Sequence, residues 1–422
     1  MIDLFPASAE IRDGELRLGG VGAGELADRF GTPLVVLCER TVRERARSLR
    51  DAAPGAELYF GTKAFPNVAL LRLLAEEGIG ADVSTLGELA FARAAGLGGA
   101  ELLMHGNNKS DEELRAAAAA GATVVLDAPG EAARAAAAGV GRVLLRVTPG
   151  VEADTHASIR TGHLGSKFGL PPDEVLRAAT EARDAGLELV GLHAHVGSQL
   201  VSAAAHEAAA AVVADLAGRC RDEVGWTPGL VDAGGGFGIR HVPEDPEVDV
   251  AAVVRQVVAS IRAAWAVRGL PEPRLAFEPG RALVGPAGVT LYRVGVVKQP
   301  AEGPPWAAVD GGMSDNPRPQ LYGARYAALL ANRADEPATH EVSIAGKHCE
   351  SGDVLIERAL LPPVRPGDLL AVPATGAYTL SMASNYNGVP RPAAVLVAGG
   401  EARPARRRET VDDLLRLESR DG

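Results

Sequence analysis

Cysteine is scarce in this chain: Cys38, Cys220 and Cys349 are far apart and odd in number. Such spacing fits neither a disulfide framework nor a pair of zinc ligands, and a reducing cytoplasm is the expected setting. Positive charge is also short, with 43 Lys and Arg against 54 Asp and Glu and a net charge of -11. This argues against nucleic acid as a partner, because phosphate binding needs a basic surface. The cluster Arg406-Arg407-Arg408 stands beside Glu409, Asp412 and Asp413 and reads as a solvated face. No uninterrupted apolar run is long enough to span a bilayer. The opening Met1-Ile2-Asp3-Leu4-Phe5-Pro6 lacks the basic-then-apolar profile of a signal peptide, so no membrane partner is expected. Long linkers, internal repeats and disordered tracts are missing too, and alanine runs such as Ala116 to Ala120 fall in helical patterns.

What is present is apolar material in quantity. At 422 residues, 47% of them hydrophobic, the chain suggests two domains, one of which can be a barrel of about 250 residues. From residue 34 onward, short β-branched runs alternate with alanine-rich amphipathic ones. Eight strands are predicted, at 57 to 62, 80 to 84, 101 to 105, 123 to 127, 142 to 147, 189 to 195, 230 to 233 and 274 to 278. Ser110 to Glu113 and Thr85 to Glu88 read as capping boxes. Val250, Val254, Val257, Ile261 and Trp265 recur at helical spacing as a core-facing stripe. Eight such alternations point to a (β/α)8 barrel over residues 33–290.

After residue 290, apolar segments at 292–298, 306–310, 341–345, 369–372 and 393–397 are separated by Pro and Gly without long helices. A mainly β domain, sandwich or barrel, is expected there, taking in residues 1–32 and ending in a C-terminal helix.

The strand ends carry the chemistry. In order they offer Lys63, Asp82, His105, Arg146, His195, the run Gly234-Gly235-Gly236, and Glu278-Pro279-Gly280-Arg281. All fall at the C-terminal ends of predicted strands, the rim where barrel enzymes keep their catalytic groups. A lone lysine there is ordinarily a surface residue; set among the others, Lys63 is a candidate Schiff-base residue. The segment Asp232 to Gly238 can expose consecutive N–H groups to a phosphate, although a glycine run by itself more often makes a tight turn. It does not fit the dinucleotide fingerprint, since Ile239 stands in place of the last glycine.

His193 and His195 allow two readings: a pair of metal ligands on one side of a strand, or His195 stacked on a flat cofactor ring with His193 as a satisfied core residue. Glu278 can keep a pyridine nitrogen protonated and Arg281 can hold a carboxylate or phosphate, against the plainer reading of a surface ion pair. In the second domain, His348 to Asp353 brings Cys349 together with two acids, although a free cysteine is often mere packing. Arg318 and Tyr322 sit one helical turn apart, and Gly376-Ala377-Tyr378 offers a phenol.

Taken together, these residues resemble the pyridoxal-phosphate decarboxylases built like alanine racemase, and within them the diaminopimelate branch. The resemblance runs from about Thr32 to Glu418. It includes Tyr59 to Ala64, His105 to Ser110, Thr155 to Gly169, His195 to Gln199, the glycine run, Glu278 to Arg281, Asp310 to Tyr322, Cys349 to Asp353 and Gly376 to Tyr378. Gly61, Thr62, Phe65 and Val196 are mild departures.

The resemblance implies pyridoxal 5'-phosphate as cofactor, no metal, and decarboxylation of meso-2,6-diaminopimelate to L-lysine by a homodimer whose active sites are shared between chains. It implies that Lys63 binds the cofactor covalently and that His195 stacks on its ring. Ser198, Gly234, Gly235, Gly236 and the Glu278, Pro279, Gly280 and Arg281 turn hold its phosphate, with Tyr378 near, and Glu278 pairs with the ring nitrogen. Arg281, Arg318 and Tyr322 grip the unreacting carboxylate, Glu350 the ammonium beside it, and Cys349 returns the proton. A free lysine of pKa ~10.4 is only about 0.04% neutral at pH 7, so the rim must lower that handicap. The competing readings are a related decarboxylase for another amino acid, with the same machinery and a different distal pocket, a non-catalytic cofactor-binding barrel, and a metal-dependent barrel hydrolase resting on His193 and His195.

Overall fold

Eight parallel strands close on themselves in a computed structural model that describes residues 1–151 and 165–419. They are Glu57–Gly61, Gly80–Val83, Leu102–Met104, Thr123–Leu126, Arg142–Val147, Glu188–Ala194, Leu230–Asp232 and Arg274–Phe277. The last pairs with the first through Ala276 with Glu57 and Phe277 with Leu58, so no strand edge is left open to other chains. All eight lie where sequence periodicity put them. Tyr59, Leu103, Val125, Leu144, Val190, Leu230 and Ala276 form a cluster inside, one from each of seven strands. The remaining strand opens on Gly80, where a Cβ would stand 2.4 Å from the Glu101 carbonyl oxygen and 2.9 Å from the Tyr59 ring. The missing side chain makes room for the tyrosine.

The helices follow their start signals with one exception. At Asp111–Ala120 both halves of the box form: Ser110 Oγ accepts the Glu113 N–H at 3.1 Å, and Glu113 Oε2 accepts the Ser110 N–H at 2.8 Å. At Leu86–Ala95 only the Thr85 half forms, because the Glu88 carboxylate reaches one residue further back to the Ser84 N–H at 2.7 Å. Helix Val250–Val267 buries Val250, Val254, Val257, Ile261 and Trp265 as its spacing predicts. It is also long and apolar enough to cross a membrane by composition alone, but the stripe marks it as a core helix.

Two compact units divide the chain: Arg45–Ile239 with Val248–Ala282, and Met1–Glu44 with Arg240–Glu247 and Leu283–Gly422. The first holds the barrel. The second holds a mixed sheet in the order Val354–Leu361, His340–Ala345, Trp306–Val309, Gly288–Lys298, Leu34–Cys38, Ala393–Ala398 and Glu401–Arg406, with Leu369–Pro373 also pairing Gly288–Lys298. Strand Leu34–Cys38 is buried along its whole length and pairs antiparallel with Gly288–Lys298 and parallel with Ala393–Ala398. It lies within the 33–290 span expected for the barrel, whose apolar runs it matches in composition, but belongs to the β unit.

The N-terminal segment packs on the β unit as expected. Leu16, Leu18, Val21 and Leu26 share a core with Val36, Leu291, Leu369 and Val395, each burial contributing roughly 1.5 to 3 kcal/mol.

Candidate active site

In the barrel unit, the polar groups singled out in the sequence gather at the C-terminal ends of the strands. Lys63 follows the first strand by two residues in the turn Thr62–Ala64. That strand end is tied to the Glu278–Arg281 turn, where the Gly61 N–H donates to the Pro279 carbonyl at 3.4 Å. Glu278 is not in a surface ion pair. It is 7% exposed, with one carboxylate oxygen 2.6 Å from His105 Nε2 and the other 3.3 Å from His193 Nε2. Burial pushes its pKa up, but the two imidazoles outweigh that and hold the carboxylate well below its usual range.

The groups around it are shifted as well. Burial pushes His193 down to about 4, so it is neutral and its Nε2–H donates to Glu278. Burial raises Asp82, which lies 3.7 Å from His105, to about 6, although His105 opposes the shift. Burial and then the Glu278 charge raise Asp232 well above the carboxylate range. Buried titratable groups coupled in this way cluster at catalytic sites, although structural ion-pair networks shift them too.

His193 and His195 do not act as a pair. While His193 faces Glu278, His195 Nδ1 accepts the Gly235 N–H at 3.2 Å. Burial first, then the charges of Lys63 and Arg146, keep His195 well below its ordinary value. It is therefore a neutral ring with its proton on Nε2.

The glycine run admits no other residue. Gly234 and Gly236 have φ of +67° and +94°, a region that favours glycine. A Cβ on Gly235 would stand 2.1 Å from the Glu278 carbonyl oxygen, and one on Gly236 would stand 2.2 Å from that of Gly197. Beside Gly197, the Ser198 hydroxyl accepts a hydrogen bond from Arg281 at 3.1 Å.

Two further sequence motifs prove to be supports. Lys109 of the His105 to Ser110 stretch is fully buried, 2.9 Å from Glu131, and donates to the Gly106 and Val125 carbonyls. Arg146 pairs with Asp127 at 3.2 Å and stacks on Phe168, while Gly169 N–H donates to Asp127 at 2.8 Å. The part of the Thr155 to Gly169 motif from Thr155 to Leu164 lies outside the described residues.

The β unit carries a second set. Arg318 opens the short helix Arg318–Tyr322 and is 6% exposed, whereas Tyr322 is half-buried. Cys349 and Glu350 are exposed neighbours. Their loop is held by Asp353, which accepts the Met313 N–H at 2.7 Å and the His348 N–H at 2.9 Å, and by Asn387, whose Oδ1 accepts the Cys349 N–H at 3.0 Å. Tyr378 lies five residues beyond strand Leu369–Pro373 with φ of +59°. Sequence reading missed Asn387, His241 and Tyr326, of which the last two contact Arg318. Only the tertiary fold brings them there.

A closed parallel barrel with a buried acid, a neutral imidazole, a lysine and a glycine cradle on one rim describes a pyridoxal-type enzyme, and comparison with known proteins agrees. The family model for the pyridoxal binding domain of pyridoxal-dependent decarboxylases matches residues 39–285. The diaminopimelate decarboxylase of Actinosynnema pretiosum subsp. auranticum is 48% identical, covering 98% of this chain and 95% of its own. That of Bacillus subtilis is 42% identical, covering 98% of each. The crystal structure of diaminopimelate decarboxylase from M. jannaschi superposes with a TM-score of 0.91 at 32% identity, covering 98% of both chains. The chain belongs to the diaminopimelate decarboxylase family of pyridoxal-dependent decarboxylases.

Proposed function

We propose that the chain decarboxylates meso-2,6-diaminopimelate to L-lysine and carbon dioxide, closing the diaminopimelate route of lysine biosynthesis, with pyridoxal 5'-phosphate as cofactor. The residues present fit that cofactor. Gly234 to Gly236 pack too closely on the Ala194, Glu278 and Gly197 carbonyls for any Cβ, a bare stretch of backbone that a phosphate can approach, with Ser198, Arg281 and the Glu278, Pro279 and Gly280 turn beside it. Buried, anionic Glu278 suits a protonated pyridine nitrogen. When bound, the cofactor supplies an electron sink for the pair left by a departing carboxyl group.

The protein's own groups do the rest. Lys63 holds the cofactor's aldehyde end. Uncharged His195, fixed by the Gly235 N–H, would offer a flat face to a cationic ring without repelling it. Arg281, Arg318 and Tyr322 grip the carboxylate that does not react, Glu350 takes the ammonium beside it, and Cys349 returns a proton to the reacting carbon.

The observation that carries the substrate is Arg318: a guanidinium 6% exposed, with no carboxylate partner among the described residues and its Nε without a hydrogen-bond partner. A buried cation of this kind calls for an anion, and diaminopimelate brings one that ornithine's side chain lacks. The exposure of Cys349 and Glu350 supports a homodimer in which they serve the partner's site, and three unpaired cysteines support a cytoplasmic setting.

A substrate panel tests the reading. Purified protein with added cofactor is expected to release carbon dioxide from meso-diaminopimelate. Turnover of ornithine or lysine with none of diaminopimelate would overturn it.

A further inference from the structure

We infer that His241 and Tyr326 are positioning residues that aim Arg318 at the carboxylate at the far end of the substrate. The inference rests on the reading of Arg318 given above. Arg318 NH1 donates to the Tyr326 hydroxyl at 2.5 Å and faces His241 Nε2 at 3.2 Å. The guanidinium carbon lies 5.7 Å from the Tyr326 ring centroid, and the His241 ring stands edge-on to the same ring at 5.6 Å and 88°. His241, Arg318 and Tyr326 are all at least nine-tenths buried.

A guanidinium has donors only, so a ring nitrogen facing it at hydrogen-bonding distance must present a lone pair. His241 is therefore held as the neutral imidazole with its proton on Nδ1, and both NH1 hydrogens go to uncharged acceptors. This distinguishes the pair from an ordinary support. Had the protein anchored Arg318 with an aspartate or glutamate, as it does Arg146 with Asp127, the positive charge would be spent inside the chain. Neutral acceptors fix the plane of the fork and leave its charge for a ligand. A planar fork so fixed recognises a carboxylate in two-point fashion.

The path of the chain accords with this role. His241 sits in Arg240–Glu247, eight residues that belong to the β unit although both flanking stretches belong to the barrel unit. Asp245 closes the segment into a turn, accepting the His241 and Val242 N–H groups at 2.8 and 3.2 Å. Arg240 pairs with Asp3, and Arg325 with Glu244, both at 2.8 Å. The turn thus holds the backbone beneath His241 while its side chain meets Arg318.

The test compares two ligands on the holoenzyme, L-lysine and 1,5-diaminopentane, which differ by one carboxylate. His241→Phe removes the acceptor but keeps a ring, Tyr326→Phe removes the hydroxyl, and His241→Gln restores an acceptor. Each Phe variant is expected to weaken L-lysine binding and raise KM for meso-diaminopimelate about tenfold. The same variants should leave kcat within about twofold and 1,5-diaminopentane affinity as in the parent, and His241→Gln should recover most of the loss. Equal losses for both ligands would mean a merely structural role and overturn the inference. So would parental L-lysine affinity in both Phe variants when Arg318→Ala has lost it, an outcome that leaves the reading of Arg318 standing. Parental L-lysine affinity in Arg318→Ala would instead overturn that reading itself.

Discussion

Glu278 Oε1 and His105 Nε2 lie 2.6 Å apart in a place closed to water. With His193 on the other oxygen, this contact keeps the acid ionised where burial alone would protonate it, and an ionised acid is what a cationic ring nitrogen needs. Glu278→Gln keeps the shape and a hydrogen bond but removes the charge. We expect kcat for meso-diaminopimelate to fall about 100-fold or more, with the melting temperature little changed. Parental kcat in this variant would detach Glu278 from the reaction.

Gly235→Ala tests the cradle. Its Cβ would stand 2.1 Å from the Glu278 carbonyl oxygen, so backbone must move, at a cost of about 1 to 3 kcal/mol. The expected results are a lowered melting temperature and a holoenzyme that loses cofactor on dialysis. Full retention at parental stability would contradict the close approach.

Cys349→Ala should separate chemistry from binding. A proton returned to carbon after decarboxylation matters to turnover and not to the encounter with substrate, so kcat is expected to fall about 100-fold with KM nearly constant. Matched losses in kcat and affinity would assign the thiol to binding.

Asp315 gives the β unit a pH dependence. Burial raises its carboxyl from an ordinary 3.8 to about 7, although the Tyr292 hydroxyl and the Gly312 N–H, which both donate to it, pull the other way. A carboxyl with a folded pKa above its unfolded one holds its proton more tightly when folded. Its stabilising contribution is therefore complete below about 3.8 and fades as pH rises through about 7. Asp315→Asn should flatten the decline in melting temperature between about pH 4.5 and about pH 7.5; an unchanged slope would remove Asp315 as its source.

His105, His193 and Glu278 bring three ligand-type atoms within 4.8 Å of one another. Exhaustive dialysis against a chelator is expected to leave decarboxylation unchanged. Lost activity that zinc restores would favour a metal at these residues.

Much of this was legible because the information is local. Each barrel strand announces itself within a few residues, and polar groups such as Lys63, His195 and Glu278 stand at its end. Serine and glutamate three apart mark a helix start at Ser110. Strand Val354–Leu361 escaped because Glu357 and Arg358 interrupt its apolar run and its burial does not alternate. His193 is the satisfied core histidine of one of its two sequence readings, but nothing near it in sequence shows that its partner is an acid 85 residues on. His241 was invisible for the same reason, lying 77 residues before its guanidinium partner.

Strand Leu34–Cys38 has a further consequence, for how the protein is made. All five of its residues are buried against Gly288–Lys298 and Ala393–Ala398, neither of which exists when it leaves the ribosome. At about 5 to 20 residues per second, the first of those partners follows roughly 10 to 50 s later. Throughout that interval the five apolar residues have no sheet to pair with, so this strand can take its place only after the barrel's last strand, Arg274–Phe277, has been translated.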